Sequence, residues 1–302
     1  MKEEDVCIAT DWEYDRDFIK ALTGSLFSRG LSMLVVRPEN LADILGRVRR
    51  NELVFRFLFD RASDTSPEFI PLQKHLREKG TRIIDPIDRI RWASDKATLH
   101  LEFLTAGIPT PYTLILPPVH EADEITLSVS DLAHLGRPFV IKPANTTGGG
   151  TGVVDGAETL QDVLFARKEF RHDKYLLQER IIPDEREGRR FWFRAFYVFG
   201  KVVCTWWNEE THLYADMTDD EKEAFPISDL EEIVFQIASV SGLSFFSSEI
   251  ARRRDGGWVV VDYVNESCDM RFQSRHRDGV PDAVIAQIID ILVHLFQGRS
   301  ER

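Results

Sequence analysis

The residues best suited to chemistry lie in one stretch, 137–154, which reads RPFVIKPANTTGGGTGVV. A short apolar run leads to Lys142, and Thr146-Thr147-Gly148-Gly149-Gly150-Thr151-Gly152 follows. Contiguous glycines let successive backbone N–H groups turn into one concavity, which suits phosphate oxygens, and threonines add hydroxyl donors. A lysine at the end of a buried strand needs an anionic partner, because an unpaired ammonium is costly to desolvate. The stretch therefore reads as a cradle for nucleotide phosphates. It is neither of two common phosphate loops: no Gly-Lys-Ser/Thr closes it, and its glycines are contiguous, not spaced as in a dinucleotide fingerprint.

A second constellation is Glu249, Asp262, Asn265, Glu266 and Asp269. Glu249 and Asp262 fall on the two strands of a hairpin turning at Asp255-Gly256-Gly257. Carboxylate and amide oxygens suit Mg²⁺, which is held by one or two carboxylates together with substrate phosphates. In RRFWFR, Arg190, Trp192 and Arg194 share one strand face and Phe191 and Phe193 the other. Two arginines in the middle of a sheet call for anions. Trp206, Trp207, Asn208, Glu209, His212 and Tyr214 are candidates to line a substrate pocket. The run YLLQERII, with Gln178-Glu179 near its end, reads as a strand edge able to offer backbone groups to a base. Asp11, Trp12, Arg56 and Asp60 follow or sit in early strands, where parallel sheets bind ligands, although surface residues are the simpler reading.

The elements that must position these residues change character along the chain. Up to about residue 90, apolar runs at 6–10, 31–36, 53–59 and 82–84 alternate with helical spacing at 15–29, 38–48 and 67–79. That pattern implies a parallel α/β sheet. Residues 85–91 read as a link. A helix over 94–107 with Ser94 as N-cap follows, then a Pro-bounded strand, a polar connection at 120–136 and the strand 139–142. Beyond the glycine loop come a helix at 158–170, a strand at 174–182 and a charged loop at 184–190. A hairpin over 190–208, an irregular stretch at 211–228, a helix at 229–241, the hairpin 245–264 and a closing helix at 283–296 complete the pattern. This second part reads as antiparallel sheet with helices packed on it.

Composition narrows the function. The 302 residues carry a formal net charge of −12, which argues against nucleic-acid binding. No apolar run approaches the roughly 20 residues of a membrane span. The N-terminal residues pass from charge directly into a strand with no signal-peptide core, so a cytoplasmic protein is expected. Three cysteines, Cys7, Cys204 and Cys268, show neither disulfide nor zinc spacing.

Taken in order, these pieces resemble the ATP-grasp superfamily, over roughly residues 85–298. SDKATLHLEFLTAGIPTP is similar to the segment with the first phosphate lysine, here Lys96. FVIKPANTTGGGTGV resembles the second, Lys142, with its mobile loop. YLLQERI is similar to the hinge strand that meets adenine, here Gln178, Glu179, Ile181 and Ile182. FRAFYVFGKVV resembles the segment bringing an arginine, Arg194, to the phosphates. EIARRRDGGWVVVDYVNE resembles the hairpin with the magnesium ligands, here Glu249, Asp262 and Asn265.

The resemblance implies a pre-ATP-grasp α/β domain at 1–90 and an ATP-grasp domain at 91–302, its small lobe at about 110–185. It implies ATP and Mg²⁺ as cofactors and a carboxylate–amine (or thiol) ligase. That ligase would act through an acylphosphate on a small-molecule or peptide carboxylate and an amine, releasing ADP and phosphate. Kinase action on a hydroxyl, or non-catalytic ATP binding, are the alternatives. It implies a homodimer as the candidate assembly. Arg271 is the candidate grip on the acyl substrate. The ribose ligand is one of Asp184, Glu185 and Glu187. Departures are also plain. Trp192 stands where many members have an acid. Asp262 and Asn265 are three apart, so a regular strand sends them to opposite faces. Either a bulge sits at Tyr263-Val264, or Glu249 holds the metal with Asn265 or Asp269.

Lys142→Ala is expected to lose the thermal stabilisation that Mg-ATP confers, because a phosphate contact disappears. A variant stabilised by Mg-ATP as much as the wild type would contradict the phosphate role of Lys142.

Overall fold

The computed structural model describes residues 2–146, 150–186, 188–225 and 227–298. The chain opens with β1 (Lys2–Thr10), α1 (Arg16–Ser28), β2 (Met33–Val36), α2 (Pro38–Arg49), β3 (Leu53–Arg61), α3 (Ile70–Glu78) and β4 (Arg82–Ile84). The strands form one parallel sheet in the order β2-β1-β3-β4. Their near-continuous apolar runs fit a sheet covered on both faces.

Next come α4 (Ile87–Ser94), α5 (Lys96–Ala106), β5 (Thr113–Leu116), α6 (Val129–Leu135), β6 (Phe139–Pro143), β7 (Val154–Ala157), α7 (Leu160–Ala166) and β8 (Tyr175–Glu179). Here β5, β8, β6 and β7 lie side by side as an antiparallel sheet, with α6 and α7 enclosing its core. A two-stranded ribbon, β9 (Glu185–Arg186) and β10 (Arg189–Arg190), leads on. The rest is β11 (Trp192–Val198), β12 (Lys201–Asn208), β13 (Leu213–Ala215), α8 (Asp219–Ala224), α9 (Ile227–Ser241), β14 (Phe245–Arg252), β15 (Trp258–Asn265) and α10 (Asp282–Gln297). The five strands pair antiparallel in the order β13-β12-β11-β14-β15. The expected parallel α/β part followed by two antiparallel lobes is thus the architecture found.

Several local expectations are corrected. Residues 85–91 lie largely in α4, anchored by buried Ile90 and Ala93, a helix too short to show periodicity. Ser94 ends that helix, and Asp95 is the N-cap of α5, its carboxylate accepting from the Ala97 and Thr98 backbone N–H groups at 3.0 and 3.1 Å. The stretch 211–228 contains β13 and α8, and 184–190 contains the β9–β10 ribbon. The strand β7 was not legible, because Asp155 and Gly156 leave no apolar alternation.

α10 joins the parts. Its buried face, Ile285, Ile288, Leu292 and Phe296 among others, packs into a core shared with Val6, Ile8, Phe57 and Phe59 of the parallel sheet and Trp192, Phe196 and Trp207 of the large antiparallel sheet. A buried ion pair lies beside the same seam, and its arginine reaches across. Arg61 donates to Asp15 at 2.6 and 2.8 Å and to the Cys268 carbonyl at 2.8 Å. Both side chains are at most 5% exposed. Removing one partner leaves an uncompensated buried charge, so Asp15→Ala is expected to cost about 3–5 kcal/mol. Urea unfolding checks this, and a loss below about 1 kcal/mol, the worth of a surface pair, would contradict it.

Candidate nucleotide and metal site

The site is laid out by the pairing of β14 with β15. Ile250 faces Val260, Glu249 faces Asp262, and Ser247 faces Asn265, so the register shifts by one residue on either side of Glu249. Residues paired across an antiparallel ladder project to the same side, as do residues two apart on one strand. Glu249 and Ser247 share a face, so Asp262 and Asn265 share it too. The bulge over Tyr263-Val264 expected as one alternative is therefore present. Tyr263 and Val264 both turn to the opposite face, into the core under α5 and α9. Arg194 of β11 pairs directly with Glu249, which places it, Trp192 and Thr205 on the carboxylate face.

Three buried cations meet these acids. Lys96, Lys142 and Arg194 are 7%, 8% and 7% exposed. Lys96, the first residue of α5, lies 2.9 Å from Asp262. Its helix start is docked by its own N–H donating to the Ala144 carbonyl, just past Lys142. Lys142 donates to the Val261 carbonyl at 3.0 Å. Arg194 donates to Glu249 through Nη2, and Trp192 Nε1 donates to the other oxygen of Glu249 at 3.2 Å. Nε and Nη1 of Arg194 have no hydrogen-bond partner among the described residues. Burial alone would raise the Asp262 carboxyl, but Lys96, Lys142 and Arg194 overcome it and hold it well below the usual carboxylate range. Burial lowers the Lys142 ammonium, and the opposing pull of Asp262 does not restore it.

Two carboxylates and an amide oxygen on one face are a donor set suited to Mg²⁺. Among the described residues no group of three or more His, Cys, Asp and Glu side chains forms a metal cage. Asp269 is engaged elsewhere: it pairs with Arg271, whose Nε, Nη1 and Nη2 all donate to Asp269 or Asp278. Arg271 stands 5.6 Å over the Tyr14 ring, and its hydrogen bonds go to this acidic pair.

The glycine loop springs from a fixed stem. Asp173 accepts from the backbone N–H groups of Asn145 and Thr146 and from the Asn145 amide at 2.9–3.1 Å. Thr147, Gly148 and Gly149 lie outside the described residues, as does Glu187. At the far end Gly152 has φ +72, and a Cβ there would lie 2.5 Å from Phe170. Only glycine fits.

The hinge strand differs from expectation. β8 is no edge; it runs between β5 and β6, so the backbones of Gln178 and Glu179 are committed to ladder pairs. Side chains are committed as well: Gln178 to Thr113 and Tyr263, Glu179 to Arg253 and the Tyr112 N–H. The backbone leaves the sheet only at 180–182, where Ile181 is buried and Ile182 is 63% exposed. Asp184 holds the ribbon through the Glu185 N–H and Arg186.

His100 was not anticipated. It lies one turn after Lys96 on α5, and its Nδ1 is 2.6 Å from the Tyr263 hydroxyl, which also accepts from Gln178 at 2.7 Å. Its spacing of four from Lys96 was a usable signal, but a lone histidine on an apolar helix face gives no charge pattern to read. Burial, then the charge of Lys142, lowers the His100 pKa to about 4.

No family model matches the chain, and no curated protein sequence matches it. Solved structures do. A RimK domain ATP-grasp protein from Sphaerobacter thermophilus superposes with TM-score 0.61 at 20% identity, covering 95% of this chain and 98% of that one. The ATP-grasp ligase PsnB, solved with a minimal precursor, Mg and ADP, gives TM-score 0.61 at 14% identity, covering 95% and 98%. D-alanine–D-alanine ligase from Bacillus anthracis, solved with ATP, gives 0.63 at 13%, covering 96% of each chain.

The neutral His100 has a pH consequence. Its folded pKa lies below the unfolded value near 6.5, so between those values the unfolded chain binds more protons and stability falls as pH drops. Acidification from about pH 6.5 to about 4 should cost the wild type roughly 2 kcal/mol more than His100→Gln, allowing for solvent screening. Equal pH slopes in urea unfolding would contradict the buried neutral imidazole.

Proposed function

We propose, from the ATP-grasp fold that these likenesses establish, that the chain is a Mg-ATP-dependent ligase joining a carboxylate to an amine through an acylphosphate. Residues 1–90 would be its pre-ATP-grasp domain and 91–302 the ATP-grasp domain. One observation carries the reading: three buried cations face two carboxylates. Lys142 has only a backbone carbonyl, and Arg194 has two unused N–H groups. Buried cationic donors that no carboxylate takes are unfavourable unless an anion joins them. Nucleotide phosphates supply that anion.

In this reading Lys96 and Lys142 grip the phosphates. Glu249, Asp262 and Asn265 hold Mg²⁺, whose charge is supplied to phosphate oxygens when it is bound. The loop 146–152 closes over the γ-phosphate and excludes water, which strengthens each charge interaction inside. Adenine meets the backbone where β8 ends, at Ile181 and Ile182, and the ribose meets Asp184, Glu185 or Glu187. The substrate carboxylate attacks the γ-phosphorus and ADP leaves. Arg194 stabilises the charge that develops where the attacking carboxylate meets the transferred group. An amine then attacks the acyl carbon, expels phosphate and leaves an amide.

The test is hydroxylamine trapping. Mg-ATP, a panel of carboxylic acids and hydroxylamine should give a hydroxamate together with ADP. Arg194→Met is expected to slow ADP release by about 100-fold. A stable phosphorylated product, formed with no amine or hydroxylamine, would make the chain a kinase instead. ATP binding without ADP under all mixtures would make it a binding module.

A further inference from the structure

The carboxylate face continues past Arg194, beyond anything the nucleotide reading uses. Trp192 and Arg194 alternate along β11, and on β12 Thr205 and Trp207 share their side. Glu209 lies two residues past Trp207, pairs with Arg190, and is near enough to Glu249 to feel its charge. The Arg194 guanidinium stands 4.8 Å from the Trp207 ring centre. Trp207 stacks with His212 and packs on Tyr214, their centroids 5.8 and 4.5 Å away. Along this line Arg194, opposite Thr205, stands at one end and Glu209, two residues past Trp207, at the other.

Both ends hold unused hydrogen-bonding capacity. Arg194 is 7% exposed, and its Nε and Nη1 are buried donors without a partner among the described residues. Glu209 uses Oε1 for Arg190, while its Oε2 is a buried acceptor with no partner among them. An orphaned buried polar atom costs free energy that a ligand group of the right kind recovers. The donors want an anion and the acceptor wants a cationic N–H group. Glu249 and Glu209 lie close enough to repel, and burial, the largest influence, also pushes the Glu209 carboxyl up. A bound ammonium would relieve both.

We propose that the substrate held on this face is a free amino acid. Its carboxyl lies on Nε and Nη1 of Arg194, its ammonium on Glu209 Oε2, and Trp192 and Trp207 flank it. Glu209 thus selects amino acids over simple carboxylic acids. This deepens the ligase reading and rests on it.

The experiment is a thermal-shift and calorimetric titration of the full chain with Mg-AMP-PNP present. Ligands are the common L-amino acids, their D-enantiomers, and for each its deaminated acid and N-acetyl derivative. At least one free amino acid should bind about 10-fold or more tightly than its deaminated and acetylated counterparts. Glu209→Gln should shrink that preference to about 3-fold or less by weakening only the free amino acid. Glu209→Asp, which keeps the charge, should restore part of it. Circular dichroism and the Mg-AMP-PNP shift verify that each variant is folded. Deaminated acids binding as tightly as their parents, an unchanged preference in Glu209→Gln, or nucleotide binding with no amino acid bound would each overturn this proposal alone. Failure of the wild type to bind Mg-AMP-PNP would instead overturn the nucleotide reading beneath it.

Discussion

The site depends on an extra residue in β15. Had the strand stayed regular from Asp262 to Asn265, the two polar side chains would point to opposite faces. The bulge returns Asn265 to the side of Asp262 and Glu249, and it turns Tyr263 and Val264 together to the other side. Both outcomes matter. One face gains two carboxylates and an amide. On the other, the Tyr263 hydroxyl ties His100 on α5 to Gln178 on β8. The same irregularity thus builds the carboxylate face and fixes the small sheet against the large one.

Electrostatics then does the rest. Neither lysine would be stable at such depth without the carboxylates, and Lys96, Lys142 and Arg194 together keep the buried Asp262 ionised. The pairs Lys96–Asp262 and Arg194–Glu249 satisfy four of the five charges, and Lys142 remains with a carbonyl. The five groups are held on three different supports: the start of α5, the small sheet and the large sheet. An incoming phosphate chain would exchange these partners without burying a new uncompensated charge, because it brings the anionic charge the cluster lacks. Core packing keeps the supports in place. α10 buries one face against both the parallel sheet and the large antiparallel sheet, while α5 and α9 cover the other face of the large sheet.

Much of this was legible in the sequence, for physical reasons. The parallel part showed as apolar runs alternating with helical spacing. Arg190, Trp192 and Arg194 fell on one face because strand alternation has period two, and Lys142 stood out as a charge in an apolar run. The bulge was legible only as a conflict, Asp262 and Asn265 being three apart, and pairing with Ser247 and Glu249 decided between the readings. What escaped had no local signal. β8 read as an edge because nothing in YLLQE reports strands on both its sides. Ser94 looked like a cap because the neighbouring Asp95, the true cap, is an equally good candidate. Arg271 attracted notice by position, yet its partner Asp278 is seven residues away across a loop. His100 acquires meaning only from a distant contact, with Tyr263.

The account stands most directly on where a divalent ion sits. Anomalous diffraction from crystals grown with Mn²⁺ and AMP-PNP locates that ion without reference to activity. The account predicts a single principal peak about 2.1 Å from oxygens of Glu249, Asp262 and Asn265, with nucleotide phosphate oxygens completing its shell. An ion held by Asp269 or Glu266 in their place, or bound only to the nucleotide with Asn265 turned away, would contradict it.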